Sequence, residues 1–391
     1  MVNQFEYNPL NDSKEAQQLS SILTQAFVSP SNTEDNYIQR IGVENFRVIR
    51  QSGKLLGGLA MIPMGQWFGR RRVAMVGIAG VGIAPDHRGS GGAIALMQQT
   101  LKELHANGVA ISTLHPAVQS LYRKVGYEQG GSYCGWEIPA SQIQIRESSL
   151  PIAPIPLNSE RLSPLYQQQA QCNNGYLDRH PCLWQEILRP ISQEALYAYQ
   201  FGSVDHPQGY IIFKQTRTEA GSILQIRDWV VLTTAAGRSL WSFLAGHRSM
   251  IKQIYWCGSA IDALTLMLPE QTFQSQFVER WMLRIIDVRR ALEARGYPLN
   301  IEADLHLDIQ DDLLSENTGK FILSVFQGQG QITQGGRGEL RLNIRGLGPL
   351  YTGLFSPHQL QLMGQLTGEE KALAIATQLF ASPSPWMPDF F

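Results

Sequence analysis

The sequence Val81-Gly-Ile-Ala-Pro-Asp-His-Arg-Gly-Ser-Gly-Gly-Ala93 decides the fold of the first third of this 391-residue chain. Its first residues are apolar and predict the end of a buried strand, and the apolar run Ile94 to Met97 that follows predicts a helix. The glycines between them predict a turn that leaves the first N–H groups of the helix without intrahelical acceptors. Because such a turn binds phosphate groups, the stretch predicts an α/β domain that holds an anionic cofactor.

The spacing of the glycines excludes two common nucleotide-binding loops. A P-loop would continue with Gly-Lys-Ser or Gly-Lys-Thr, and Gly89, Gly91 and Gly92 do not follow G-x-G-x-x-G. Read from Arg88, the residues follow Arg-x-x-Gly-x-Ala, in which Gly91 and Ala93 leave little side chain in the way of a pyrophosphate. The alternative is a helix start that uses its glycines only for the turn.

Composition narrows the class of protein. Hydrophobic residues make up 43% of the chain and its net charge is −1, so a general nucleic-acid binder with a basic stripe is not expected. The cysteines lie far apart and are expected to be reduced thiols, at Cys134, Cys172, Cys182 and Cys257. The first residues lack a basic region followed by an apolar core, and the chain has no run of about 18 apolar residues. We therefore expect a cytoplasmic protein with no membrane partner.

The chain divides into three predicted domains. The first, residues 1–138, contains a helix over Asp12 to Phe27, a hairpin turning at Ser52 and Gly53, and a strand over Ala74 to Ile83 before the glycine turn. Four prolines are then predicted to break every regular element between residues 139 and 157, at Pro139, Pro151, Pro154 and Pro156.

The second domain, residues 158–285, repeats the order of the first. Only Gly237 stands where the first copy has its glycine turn, so we expect no second cofactor site. The third domain, residues 286–391, reads as alternating strands followed by helices. The predicted strands and helices of this domain cover residues 301–309, 319–326, 340–344, 344–353 and 369–380.

Two segments resemble the GNAT acetyltransferases. Arg88 to Ala93 is similar to their acetyl-CoA signature R/Q-x-x-G-x-G/A, and Leu114 to Tyr127 is similar to their segment L-x-P…F/L-Y-R-x-x-G-F/Y. In that segment the tyrosine, here Tyr122, sits on a short helix that faces the cofactor thioester. Packing in a core is the alternative role for such an aromatic residue.

The whole chain resembles the Eis (enhanced intracellular survival) acetyltransferases. W-x-x-R-x-x-D-V at Trp281 to Val288 and the aromatic C-terminus carry this resemblance. It implies tandem GNAT-like domains, the second degenerate, followed by a sterol-carrier-protein-like α/β domain. It also implies acetyl-CoA as the acetyl donor, aminoglycosides or other polyamines as acceptors, and a hexamer. No metal is expected, because the scattered His residues do not form a ligand set. A lysine or small-metabolite acetyltransferase and a lipid-binding scaffold without catalysis are the alternatives.

The resemblance assigns roles to individual residues. Tyr122 is the expected general acid, and the carboxylate of Phe391 is the expected base, brought into the active site by the C-terminal tail, Pro385 to Phe391. Backbone N–H groups from Val81 to Ile83 are expected to stabilise the thioester oxygen. The residues expected to hold the pyrophosphate are Arg88, Gly89, Gly91, Gly92 and Ala93.

Three further expectations concern the surroundings of the site. Gly80 is expected to leave a roomier acceptor pocket than a bulkier residue would. His87 and His115 flank the site in sequence and are expected to be structural or exposed. The tail is expected to be remote from the folded core, although its aromatic residues could instead dock on the domain surface.

Overall fold

A computed structural model describes residues 5–28, 33–190, 195–219 and 221–391, and the chain forms two compact units. The first unit runs to Gly130, resumes from Trp281 to Pro383 and includes Phe391. The second unit comprises Gly131 to Arg280 and Ser384 to Phe390. The beginning and the last quarter of the chain therefore fold into the same unit.

The N-terminal part of the first unit is a sheet with helices. Its elements are β1 (Glu6–Pro9), α1 (Ser13–Phe27), α2 (Thr33–Ile41), β2 (Phe46–Gln51), β3 (Lys54–Phe68), β4 (Arg71–Ile83), α3 (Gly92–Ala106), β5 (Ile111–Leu114), α4 (Gln119–Arg123) and the start of β6 (Glu128–Pro139). Strands β1 to β4 pair antiparallel in chain order, and β5 lies parallel to β4. The Asp12 side chain accepts a hydrogen bond from Glu15 N at 2.8 Å, which confirms the predicted start of α1.

The second unit contains a sheet with helices. Its elements after β6 are β7 (Ile152–Pro154), α5 (Ser159–Ala170), β8 (Leu177–Asp178), α6 (Pro181–Leu188), β9 (Leu196–Gly202), β10 (Pro207–Thr218), β11 (Gly221–Val231), α7 (Thr234–Gly246), β12 (Ile251–Gly258) and the part of β13 (Gln274–Ile285) that ends at Arg280. The strand order is β6-β12-β11-β10-β9-β7. The prediction that the prolines leave no regular element between 139 and 157 is wrong for β7. An edge strand tolerates proline because one side of it needs no ladder hydrogen bond.

The C-terminal part of the first unit contains a second sheet. Its elements are α8 (Val288–Ala294), β14 (Ala303–Gln310), β15 (Gly319–Phe326), β16 (Gln329–Gln334), β17 (Leu340–Asn343), α9 (Ile344–Thr352), α10 (Pro357–Leu362), β18 (Leu366–Gly368) and α11 (Glu370–Leu379), in the strand order β16-β15-β14-β17-β18. The sequence did not predict β16, because Ile332 is its only buried residue and the others are polar or glycine. The mixed α/β architecture is confirmed.

One hydrophobic cluster in the first unit supports the candidate site. Leu96 and Leu101 of α3 are fully buried in it, and Ile83 at the end of β4 belongs to the same cluster. Met282 and Leu314, from the C-terminal part of the unit, also belong to it. The end of β4 and the start of α3 are therefore held on a packed base to which the C-terminal part contributes.

Candidate active site

A β-bulge lies near the end of β4. Gly58 pairs with Gly82 and Ala60 pairs with Ala79, so the two residues Gly80 and Val81 oppose a single residue of β3. A bulge leaves its extra residue outside the regular ladder and bends the strand. Val81, the first residue of the stretch where we expected the thioester oxygen to be bound, thus lies in the bulge, and Gly82 and Ile83 resume regular pairing with β3 just before the glycine turn.

Strands β4 and β5 separate next to this bulge. Their parallel pairing covers only three residues of each strand and ends where Gly77 meets Thr113, whereas β4 continues to Ile83. The Phe391 ring lies at the point of separation: a methyl group on Gly77 would come within 2.5 Å of Phe391 Cε2. The ring also contacts the His115 ring, with 5.9 Å between the centroids. Phe391 and His115, which are distant in sequence, are therefore neighbours in the first unit.

The glycine turn exposes backbone donors at the start of α3. Gly89 (φ +80°) and Gly91 (φ +90°) adopt the left-handed conformation that favours glycine, and a methyl group on either would meet no atom within 4 Å. Ala95 N donates to Gly91 O at 3.0 Å, and within the described chain the N–H groups of Ala93 and Ile94 have no acceptor. Unpartnered donors in an open turn at a helix N-terminus fit a pyrophosphate.

The rest of the turn is compatible with this role. Arg88 is exposed beside the glycines. Gly92 begins α3, and a methyl group on it would lie 3.8 Å from Ile83 Cδ1, so the turn packs directly against the end of β4. Ser90 Oγ accepts from Gly92 N at 3.4 Å and donates to His87 O at 2.7 Å, which stabilises the turn.

The corresponding helix of the second unit is built differently. The Thr233 side chain accepts a hydrogen bond from Ala236 N at 3.1 Å, so this chain itself caps the N-terminus of α7. Gly237 lies inside the helix, where a methyl group would come within 2.7 Å of Met267. It serves close packing rather than a turn.

Tyr122 lies on the five-residue helix α4, in the same hydrophobic cluster as Ile83. Its ring contacts the Tyr127 ring, with 6.0 Å between the centroids. Its side chain is buried, and no group in the described parts of the chain forms a hydrogen bond with its hydroxyl. Burial raises the pKa of Tyr122 to about 12. The phenol therefore keeps its proton at neutral pH and can donate it.

This pKa predicts the pH dependence of turnover. If Tyr122 is the general acid that the Eis resemblance implies, it must be protonated to act, so its contribution is lost only as the pH rises through its pKa of about 12. We expect kcat for acetyl transfer to show no decline between about pH 8 and about pH 10. A pH–kcat profile at saturating substrates measures this. A fall in kcat centred near pH 9 would indicate a donor other than Tyr122.

Tyr127 connects α4 to the separating strands. Its hydroxyl lies 2.8 Å from Ser112 Oγ in β5, and Ser112 Oγ donates to Val76 O in β4 at 2.8 Å. Val76 precedes Gly77, the last residue of β4 that pairs with β5. The Tyr127 ring, which contacts the Tyr122 ring, is thus linked by hydrogen bonds to the point where β4 and β5 separate. Neither Ser112 nor Gly77 was predicted to belong to the site, although a glycine within an apolar strand can indicate a close approach of another group.

The surroundings of Gly80 change the expectation of a roomier pocket. Gly80 has φ +57°, so the bulge itself favours glycine there. A methyl group on Gly80 would lie 3.2 Å from the hydroxyl oxygen of Tyr37, a residue of α2. Tyr37 therefore already occupies the side of the strand that a larger residue at position 80 would fill.

The expectation that the tail is remote from the core is wrong. In the second unit Trp386 is buried, and its ring contacts those of Tyr176 and Trp229, with centroid distances of 4.8 and 6.4 Å. Asp389 is also buried and accepts a hydrogen bond from Arg179 Nε at 2.8 Å. Large aromatic surfaces and a buried ion pair hold the tail as far as Asp389, so substitutions of Trp386 or Asp389 would disturb a core.

Comparison with protein families matches three parts of the chain. Two acetyltransferase (GNAT) domain families match residues 6–130 and 175–285, and a sterol carrier protein domain family matches residues 288–388. Together with the glycine turn and the separating strands, these matches define the class of protein as a GNAT acetyltransferase with a sterol-carrier-like C-terminal domain.

Individual relatives cover most of the chain. A GCN5-related N-acetyltransferase from Anabaena variabilis, known from a crystal structure, is 55% identical over 99% of this chain and 100% of that one, with a TM-score of 0.97. An uncharacterized N-acetyltransferase from Streptomyces griseus is 27% identical over 89% of this chain and 86% of its own length. N-acetyltransferase Eis of Mycobacterium tuberculosis is 24% identical over 79% and 78%. The chain belongs to the GCN5-related N-acetyltransferase family and is an Eis-like member of it.

The state of the cysteines and the length of the helices can be compared with the expectations drawn from composition. All four cysteines are free thiols. Within residues 5–28, 33–190, 195–219 and 221–391, no helix is both long and apolar enough to span a membrane.

Proposed function

We propose that this enzyme transfers the acetyl group of acetyl-CoA directly to a primary amine of an aminoglycoside-like or polyamine substrate. The observation that carries the proposal is the open glycine turn, whose unpartnered Ala93 and Ile94 N–H groups lie beside the end of β4. Arg88 and the backbone from Gly89 to Ala93 would hold the pyrophosphate, since helix dipole, N–H groups and guanidinium all favour an anion.

The proposed chemistry uses three groups of this chain. The Phe391 carboxylate accepts a proton from the attacking amine, as a base within hydrogen-bond reach, directly or through one water. Backbone N–H groups between Val81 and Ile83 donate to the thioester oxygen as negative charge develops on it. The carbon–sulfur bond then breaks, and Tyr122 donates its proton to the departing thiolate. The acetyl carbon, now bonded to the amine nitrogen, leaves as the acetamide product. Release of a proton from the Phe391 carboxyl group to solvent and reprotonation of Tyr122 from solvent restore the starting state.

The experiment that tests the function measures both products. Thiol release from acetyl-CoA is followed across aminoglycosides, polyamines and lysine peptides, and mass spectrometry identifies the acetylated amine. We expect the largest kcat/KM with small multivalent amines. A larger kcat/KM with lysine peptides would instead identify lysine side chains of proteins as the acceptor. Absence of both acetyl-CoA binding and thiol release would favour the lipid-binding scaffold instead.

The glycine turn offers an isosteric test of pyrophosphate binding. Asn and Asp both tolerate the left-handed conformation of Gly91, and they differ only in charge. Gly91→Asp should weaken acetyl-CoA binding by at least roughly 10-fold more than Gly91→Asn does, because it places a carboxylate near the diphosphate. Isothermal titration calorimetry measures both dissociation constants. Equal affinities in the two variants would place the pyrophosphate elsewhere.

We further propose that residues 1–138 form the catalytic domain, residues 158–285 a degenerate copy and residues 286–391 the sterol-carrier-like domain. The tail would bring Phe391 to the catalytic domain. By resemblance the enzyme would assemble as a hexamer, and analytical ultracentrifugation of the purified chain tests that assembly.

A further inference from the structure

A buried ion pair in the C-terminal part of the first unit points at the segment that carries Tyr122. The Arg284 and Asp311 side chains are almost fully buried, and Arg284 Nη2 donates to both carboxylate oxygens of Asp311, at 2.7 and 2.8 Å. Asp311 is itself fixed, since it accepts from Leu313 N at 3.1 Å and from Asn317 Nδ2 at 2.9 Å. Arg284 is the arginine of the W-x-x-R-x-x-D-V segment that carries part of the Eis resemblance.

The guanidinium of Arg284 also holds the turn after α4. Its Nε donates to Val125 O at 3.0 Å. The next residue, Gly126, has φ +91°, and a methyl group on it would come within 2.7 Å of Arg284 Nε. Val125 N and Tyr127 N both donate to Tyr122 O at 3.1 Å. The Arg284 side chain therefore connects Asp311 to the turn whose N–H groups donate to Tyr122 O.

A second cluster of ion pairs contacts Arg123, the residue after Tyr122. Glu128, which is 7% exposed, accepts from Arg123 Nη2 at 2.7 Å and from Arg345 Nη2 at 2.8 Å. Arg123 directly follows Tyr122, and Arg345 belongs to α9. The C-terminal part of the unit thus contacts the segment around Tyr122 at two points: Arg284 donates to Val125 O, and Arg345 donates to Glu128.

Tyr122 needs such support. Its helix has five residues, and isolated helices this short are not stable. Its hydroxyl has no hydrogen-bond partner in the described chain, so no bond to the phenol itself fixes its position. The position of the phenol therefore depends on the backbone hydrogen bonds to Tyr122 O and on the packing of its ring against Tyr127. An error of about 1 Å in the position of a reacting group can cost about 10²-fold in rate.

We propose that Arg284 and Asp311 are positioning residues for Tyr122, and that the sterol-carrier-like domain takes part in acetyl transfer through Asp311, which fixes Arg284. This inference rests on the proposed role of Tyr122 as general acid. It gives the C-terminal domain a role in catalysis that requires no lipid ligand.

The test is a double-mutant cycle in the full-length enzyme. The Arg284→Met/Asp311→Asn variant removes both buried charges together, which avoids leaving one of them unpaired. It is combined with Tyr122→Phe, and kcat, the KM for acetyl-CoA and the melting temperature are measured for each protein. Leu305→Ala, a buried substitution in β14 outside this network, is the control for lost stability.

We expect the Arg284→Met/Asp311→Asn variant to lower kcat by roughly 10-fold or more, with little change in the KM for acetyl-CoA. In the Tyr122→Phe background the same substitutions should change kcat less than about 2-fold, because the acid they position is already gone. Leu305→Ala should lower the melting temperature and leave kcat unchanged.

The outcomes separate this inference from the function on which it rests. Wild-type kcat in Tyr122→Phe alone would overturn the role of Tyr122. A reduced kcat in Tyr122→Phe with full additivity of the two sets of substitutions would overturn only the positioning role. If the buried double variant does not fold, Arg345→Met, which removes a partly exposed partner of Glu128, replaces it in the same cycle with an expected decrease of a few-fold. Additivity there would overturn the role of the sterol-carrier-like domain, to which Arg345 belongs.

Discussion

Replacing Tyr122 with phenylalanine should lower kcat by roughly 10²-fold or more while acetyl-CoA affinity stays the same. The substitution removes one oxygen atom from a ring that packs against Tyr127, so the core and the glycine turn keep their contacts. Without the phenol, the thiolate must leave unprotonated or take its proton from water. Steady-state kinetics and calorimetry with acetyl-CoA measure the two quantities separately.

A matched control distinguishes this loss from a general effect of removing a buried hydroxyl. The hydroxyl of Tyr351 donates to Ala291 O at 3.2 Å, in the C-terminal part of the same unit. Tyr351→Phe should therefore reduce stability slightly, by about 1 kcal/mol, and leave kcat unchanged. A Tyr122→Phe enzyme with the kcat of wild type would reduce Tyr122 to a packing role.

Moving the terminal carboxylate should lower acetyl transfer by roughly 10²- to 10⁴-fold, as expected for the loss of a general base. Two variants do this: deletion of Phe390 and Phe391, and extension of the chain by a few neutral residues. Both leave Trp386 and Asp389 in their buried contacts, so melting temperature and acetyl-CoA affinity should change little. Thiol release at saturating amine measures the effect.

Two controls accompany these variants. The same neutral residues added at the N-terminus should leave activity intact. Phe391→Leu keeps a carboxylate at position 391 and changes only the ring that contacts Gly77 and His115, so it should lose far less activity than the extension. A C-terminally extended enzyme as active as the unmodified one would direct the search to Asp and Glu side chains.

Local sequence patterns predicted the elements that frame the site. The start of α1 could be recognised because Asp12 and Ser13, both residue types that cap helices, precede apolar residues at helical spacing, and the structure selects Asp12 as the cap. The glycine turn could be recognised because left-handed backbone at Gly89 and Gly91 favours glycine. In both cases the physical cause lies within a few residues of the signal.

Features that depend on distant parts of the chain could not be predicted in this way. Asp311 has no local signal, since its role comes from meeting Arg284 across the fold. The tail illustrates the same limit. Its aromatic residues were visible, but the buried ion pair between Asp389 and Arg179 joins residues more than two hundred positions apart. Sequence spacing alone cannot show which surfaces such residues will meet.

The proline-rich segment shows how tertiary pairing overrides a local rule. Proline removes a backbone donor, which argues against a strand. Ile152 to Pro154 nevertheless pairs with β9, because an edge strand uses the donors of one side only. Whether a segment lies at an edge is decided by the arrangement of the whole sheet.

The most direct measurement of the proposed chemistry replaces the terminal carboxylate by an amide of the same shape. Intact-mass spectrometry first verifies that Phe391 ends the native enzyme, and protein ligation then supplies an otherwise identical chain that ends in an α-carboxamide. We predict unchanged melting temperature and acetyl-CoA affinity, with kcat for amine acetylation lowered by roughly 10²- to 10⁴-fold. A carboxamide enzyme that acetylates amines at the rate of the native carboxylate enzyme would contradict the proposed mechanism.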